Sequence, residues 1–345
     1  MTAPTSEQRK IGESIDRLVA TDGAGRGVID ELYPAARALQ DGPLCLEAAA
    51  RLLARVRRGD TVVLATGFPM APWFVGEQDG PVGAATLARA LVLALGVRPV
   101  IVTDPVNIEL CTAAVGGAGL YVRPLPEART TPTTAAVLAF PLEWDEAAAC
   151  TRELLDALHP AALITVERPG ANEHRQYHQA DGKSLTAHCA KIDVLFEAAR
   201  TASVLTLAVA DGGNELGAAP IRETVLRVVP SARRCACPCG GTTVPWVEAD
   251  VLVTSGISNW GAYGIEAALA LLLRRPDVLH DRVVDARVYE RCAAAGAHNT
   301  AGLLDPGADA VPGRLHGHMV DLLAQVVASG LDLGRMYRDP RYPWL

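Results

Sequence analysis

The sequence predicts a three-layer α/β/α fold on a mostly parallel β-sheet, and three observations carry that expectation. Short β-branched apolar runs recur along the chain without the polar–apolar alternation of a half-exposed strand, so they suit strands covered on both faces. Helical patterns of crossover length separate these runs, as parallel neighbours require. Each run also ends on a small or polar residue, where a strand would give way to a loop. Half of the residues are hydrophobic and only 5% are aromatic, so the core should consist mainly of Val, Leu, Ile and Ala.

The first forty residues read as helical, interrupted by the glycines of TDGAGRG and by Pro34. TVVLATG (61–67) is the first expected strand, followed by PVIVTD (99–104), ALITVE (162–167), VLTLAVADGG (204–213) and VLVTSG (251–256), with AVLAF (136–140) as a further one. Between them, 81–95 begins on a proline and ends before Gly96, the usual signs of a helix start and stop. Residues 145–158 are amphipathic, and 259–273 form a helix after the last strand. Nothing marks an internal linker. The expected organisation is an N-terminal helical segment over 1–44, one α/β domain over 45–330 and a tail over 331–345. The tail, RMYRDPRYPWL, is aromatic enough to pack on the body or on a second copy, so a homo-oligomer is one expected assembly.

The net charge is -7, and basic residues never gather into a patch interleaved with aromatics, which speaks against a nucleic-acid partner. The N-terminus lacks a signal-peptide pattern, and the longest uniformly apolar helical piece, AALALLL (267–273), is too short to span a bilayer. A cytoplasmic protein without a membrane partner is expected. Eight cysteines in such a chain should be mostly reduced and buried. CACPCG places Cys235, Cys237 and Cys239 at alternate positions, but the paired Cys-x-x-Cys knuckles of a zinc ribbon are missing. Small residues buried near a strand are therefore expected there. The histidines His174, His178 and His188 match no recognised metal spacing, and a surface or core role is expected for each.

Ligands of open α/β sheets bind beyond the carboxyl ends of the strands. Here the strand ends lead into Glu77 and Asp79, Thr103 and Asp104, Glu167 and Arg168, then Asp211, Asn214 and Glu215, and finally Ser255, Ser258 and Asn259. Any one of these acids could simply cap a helix or close a turn. Together in one crevice they would repel and raise one another's pKa unless a cation neutralised them. Oxygen donors of this kind favour Mg2+ or Mn2+ over zinc. DGGNELG (211–217) has neither a Walker lysine nor the G-x-G-x-x-G fingerprint, so no nucleotide cofactor is expected. Its glycines, or the helix start in SNWGAYG, could instead hold a carboxylate on backbone N–H groups.

EQDGPVGAATLARAL (77–91), VIVTD (100–104), VERPG (166–170), DGGNELG and SNWGAYG (258–264) together resemble the D-glutamate cyclase family over roughly 45–325. The resemblance implies a hydro-lyase of D-amino acid metabolism that converts D-glutamate to 5-oxo-D-proline with loss of water, assisted by a divalent metal. It implies Glu77, Asp79, Asp104 and Asp211 as metal ligands, and Glu215, Asp211 and Asn214 as catalytic groups. Glu167, Arg168, Ser258 and Asn259 would then line the substrate site, with Arg168 or a helix N-terminus on the α-carboxylate. The chain departs from the family at NEHRQY (172–177), Ala218-Ala219, GAHNTAG (296–302) and AVPG (310–313), which leaves a related amino dicarboxylic acid as an alternative substrate. Two other functions fit the same residues: another metal-dependent hydrolase or phosphatase of small acids, and a non-catalytic metabolite-binding protein.

Overall fold

The computed structural model describes residues 3–331, so the aromatic tail lies outside the described residues. Three helices open the chain: α1 (Ser6–Val19), α2 (Ile29–Arg37) and α3 (Leu44–Arg55). The core then alternates: β1 (Thr61–Thr66), the short pair β2 (Pro69–Met70) and β3 (Val75–Gly76), α4 (Pro81–Leu95), β4 (Arg98–Thr103), α5 (Ile108–Gly117), β5 (Tyr121–Val122), α6 (Leu125–Ala128), β6 (Thr134–Ala139), α7 (Trp144–Leu158) and β7 (Ala162–Val166). It continues with α8 (Ile192–Thr201), β8 (Leu205–Ala210), α9 (Arg222–Val228), β9 (Val251–Thr254), α10 (Ser258–Leu273) and α11 (Arg282–Ala294), then the short pair β10 (Gly307–Ala308) and β11 (Val311–Pro312), and α12 (Gly313–Leu331).

Seven strands form one sheet in the order β5-β6-β4-β1-β7-β8-β9, and every neighbouring pair is parallel. The three-layer α/β/α fold is the one the apolar runs predict. Along central β1, Val62 and Leu64 pack into the layer containing α3, α4 and α10, whereas Val63 and Ala65 face α7 and α8. Successive side chains of a strand point to opposite faces, and both faces here are covered, which is why the interior of β1, Val62 to Ala65, is apolar throughout. The edge strand β5 has only two residues and no apolar run, so the sequence pattern does not reveal it.

Helix α10 positions the site. Every residue from Ser258 to Leu271 is buried, and the helix packs against α1, α3, α4 and α12. Such a helix, apolar nearly all round, belongs in the interior. Its amino end therefore meets the carboxyl ends of β7 and β8 inside the protein, where its free N–H groups need acceptors. None of the described helices is long and apolar enough to cross a membrane.

Candidate active site

The acceptors are carboxylates. Asp79 Oδ1 accepts from the Asn259 N–H at 2.8 Å and the Gly80 N–H at 3.1 Å, while its Oδ2 accepts from the Ser258 N–H at 3.1 Å. Asp211 Oδ2 shares the Ser258 N–H at 3.2 Å, and the Ser258 hydroxyl donates to Glu167 Oε2 at 2.6 Å. Asp79, Glu167 and Asp211, from three distant strand ends, thus present oxygens within 4.8 Å of one another, and all three are buried. Gly80 makes the approach workable. Its φ is +92°, and an added Cβ would lie 2.7 Å from Thr66 Oγ1 and 2.8 Å from Glu167 Cβ.

Buried Glu77 and Glu215 and the part-buried Asp309 also lie about this trio and add to its field. Burial, with the charge of Asp211, pushes Glu77 up to about 8 and Glu215 up to about 7. The same two causes hold Asp309 and Glu167 well above the carboxylate range. Asp79 is raised for the same reasons, although the Asn259 and Ser258 N–H groups oppose the shift. Burial also acts to raise Asp211, but Arg26 and hydrogen bonds outweigh it, so this carboxyl lies below its ordinary value. Arg26 Nη2 lies 2.9 Å from Asp211 Oδ2 and 3.2 Å from Asp309 Oδ2, and donates to the Gly256 carbonyl at 2.9 Å.

Several residues singled out from the sequence sit elsewhere or are already engaged. Asp104 and Arg168 are fully buried and pair with each other, Nη1 to Oδ2 at 2.5 Å and Nη2 to Oδ1 at 2.9 Å. Asp104 also accepts from the Ala190 N–H at 2.6 Å and from Asn107 Nδ2 at 3.0 Å. Asp104, expected as a metal ligand, and Arg168, expected as a substrate clamp, are each other's counter-charge in the structure. Asn259 is a structural tie. Its Oδ1 accepts from the Gly80 and Gly83 N–H groups at 2.9 and 2.7 Å, and its Nδ2 donates to the Gln78 carbonyl and Tyr289 Oη. The α10 N-terminus, expected to hold a substrate carboxylate, is occupied by the protein's own. Glu215 folds back onto its loop, Oε1 accepting from the Asp211 and Gly212 N–H groups and Oε2 from Gly213, at 2.6 to 3.1 Å. Asn214 Nδ2 donates to the His178 carbonyl at 3.0 Å.

The family model described as D-glutamate cyclase-like, C-terminal, matches residues 15–324. The chain belongs to the D-glutamate cyclase-like family. The curated mitochondrial D-glutamate cyclase of Homo sapiens is 27% identical over 279 residues, a match covering 78% of this chain and 40% of that protein. The chain thus spans well under half the length of that relative. A solved actinorhodin polyketide ketoreductase with NADPH covers 80% of this chain and 94% of its own, at 12% identity and a TM-score of 0.28, too slight a likeness to carry an argument.

The residues of this family member suit a hard divalent cation. The clustered donors are all carboxylate oxygens, and five buried acids with the part-buried Asp309 gather about Arg26. Thr66 Oγ1, buried beside Gly80, has no hydrogen-bond partner among the described residues. Oxygen-only sites of this kind take Mg2+ or Mn2+ in preference to zinc. Arg26 and Asp309 escaped the sequence reading. Arg26 lies in a glycine-rich turn between helices, Asp309 in the short β10–β11 hairpin, and neither follows a strand of the main sheet. The cysteines also require correction. Cys237 and Cys239 are only half-buried, on a turn rather than a strand, and the three thiols of CACPCG gather with His178 into a second potential ligand set.

Proposed function

We propose that the chain is a divalent-metal-dependent hydro-lyase that closes an amino dicarboxylate, D-glutamate in the first instance, to its five-membered lactam. The observation that carries this reading is the trio Asp79, Glu167 and Asp211 on the amino end of a buried helix, in a chain of the D-glutamate cyclase-like family. In the reaction the α-nitrogen bonds to the distal carboxyl carbon, one carbon–oxygen bond of that carboxyl breaks, and the oxygen leaves as water with two protons from the ammonium. The trio would hold the ion, whose chemistry is to withdraw charge from the distal carboxylate and so make it electrophilic.

The chain's own groups would manage position and protons. Folding the substrate so that its nitrogen faces the distal carbon recovers orientation entropy, up to about 7–11 kcal/mol in ideal cases. Glu77 is the best-placed proton carrier. Its carboxylate accepts no hydrogen bond from the described residues, which leaves it free to take a proton from an ammonium and return it to a leaving oxygen. Glu215, the base expected from the sequence, would act mainly by shaping the loop that carries Asp211. Arg26, whose side chain keeps 34% of its exposure, would receive the α-carboxylate at the mouth of the site. Chiral chromatography of reactions with each glutamate enantiomer, with Mn2+, Mg2+ or chelator, tests the proposal. Metal-dependent 5-oxo-D-proline from the D-enantiomer is the expected result. No lactam above the uncatalysed background with either metal would refute it.

A further inference from the structure

We propose that His178, Cys235, Cys237 and Cys239 form a closed structural zinc site, separate from the carboxylate centre, that clamps together two long loops at the carboxyl edge of the sheet. The inference does not depend on the lactam reaction. It begins with distances. Cys235 Sγ lies 3.3 Å from both Cys237 Sγ and Cys239 Sγ, and His178 Nε2 lies 3.3 Å from Cys237 Sγ and 3.8 Å from Cys239 Sγ. A tetrahedral zinc with three thiolates and one imidazole needs sulfur–sulfur separations of about 3.8 Å and sulfur–nitrogen separations of about 3.5 Å, from bond lengths of about 2.3 and 2.0–2.1 Å. Shifts of a few tenths of an ångström would therefore seat the ion.

The backbone explains how unpaired spacing makes a site. Gly240 adopts φ +64°, its N–H reaching the Cys237 carbonyl at 3.3 Å, and the Cys235 N–H donates to the Gly241 carbonyl at 2.8 Å. This tight turn points three alternate side chains inward, and His178 completes the set from a loop far away in sequence. Second-sphere donors are present as well. Asn172 Nδ2 lies 3.6 Å and the Gly241 N–H 3.5 Å from Cys239 Sγ, both arranged to donate to a thiolate. Three thiolates and a neutral imidazole around Zn2+ leave one net negative charge, which such N–H groups offset. All four positions come from the protein, the signature of a structural rather than a catalytic zinc.

The loops have a use for it. Residues 167–191 and 229–250 contain no helix or long strand, and loops beyond about 12–15 residues without such elements are uncommon in compact domains. They are joined by polar contacts: Ala236 N–H to the Gly182 carbonyl at 2.9 Å, and Thr242 N–H and Oγ1 to the Glu173 carboxylate at 2.9 and 2.7 Å. A metal crosslink between them would add folding free energy, since the unfolded chain has no preformed site.

Metal analysis of the full chain, produced with zinc and purified without chelator, tests the proposal. One zinc per chain is expected in the wild type and in Asp211→Asn. Cys235→Ser and Cys239→Ser should lose it, and His178→Cys should retain it. Cobalt added to the metal-free wild type should give the intense visible bands and the thiolate charge-transfer absorption of a tetrahedral sulfur-rich site. Should the serine variants fail to fold, native thiol titration of the wild type answers the same question, since zinc should shield three of the eight cysteines until a chelator is added. A wild type that binds neither zinc nor cobalt, zinc that persists in both serine variants, or a cobalt spectrum of oxygen ligation would overturn the inference.

Discussion

Arg168→Met should damage the fold far more than any interaction with substrate. Four of the five guanidinium donors are used: Nη1 binds Asp104 Oδ2 and the Gly67 carbonyl, and Nη2 binds Asp104 Oδ1 and the Ala190 carbonyl. Both charges are fully buried. Removing one partner of such a pair costs about 3–5 kcal/mol, because the other stays behind uncompensated. For 345 residues, an unfolding entropy of about 2.1 cal/mol/K per residue sums to roughly 0.7 kcal/mol/K. The melting temperature should then fall by about 4–7 °C. Asp104→Asn should cost a comparable amount. The double variant should be little worse than either single one, a coupling of about 3–5 kcal/mol, at or above the top of the usual range of about 0.5–3 kcal/mol. Calorimetry or urea titration of all four proteins closes the cycle, and steady-state kinetics on the surviving fold supplies the second readout. A melting temperature unchanged in Arg168→Met, with a large rise in KM, would refute the pairing and return Arg168 to the substrate.

Mn2+ at 100 times its Kd should stabilise the wild type by about 2.7 kcal/mol, or about 4 °C on the same entropy, and Asp79→Asn or Asp211→Asn should remove most of that rise in a thermal scan. Glu77→Gln should lower kcat by about 10²–10⁴-fold with little change in melting temperature, as stopped assays with and without metal would show. Gly80→Ala should cost about 1–3 kcal/mol through its positive φ alone, and metal titration should also weaken because the new Cβ crowds Glu167. His280 gives a pH-dependent test away from the acids. Burial acts to lower its pKa, but Glu266 at 2.7 Å and Asp285 at 3.5 Å outweigh it and raise the pKa to about 9. The charged imidazole therefore stabilises the fold fully below pH 6.5, and this contribution is lost as the pH rises through about 9. Urea titrations should show a penalty for His280→Ala that is largest below the first value and shrinks above the second.

The sheet was legible because burial on both faces writes itself as uninterrupted apolar residues. The run at 61–67 became β1 (Thr61–Thr66), and the helix expected at 81–95 has those very ends, set by Pro81 and Gly96. Asp79, Glu167 and Asp211 were legible for a related reason: each is the first or second acid past a strand or before a helix start, and parallel topology brings such positions to one edge. Partnership was not legible. Asp104 and Arg168 have the same sequence signature as the clustered acids, and only the packing of the loop at Ala190 reveals that they neutralise each other. Arg26, and the meeting of His178 with the cysteine turn, were hidden because these relationships span loops, where no periodicity links residues. His178 and Cys237 are 59 positions apart.

Arg26 lies ahead of the sheet, in the segment that a trimmed version of the chain starting at residue 45 would discard. Such a version would keep all seven strands and every carboxylate of the centre, and so would look complete by fold. It would nevertheless lack the guanidinium that sits 2.9 Å from Asp211, and the acids would be left facing one another. In the intact chain Arg26 is a tethered rival to any dissolved cation, at a local concentration that dilution cannot lower. A metal proposed for the trio would have to displace that guanidinium from Asp211, so the turn between α1 and α2 would tune the centre's selectivity for charge.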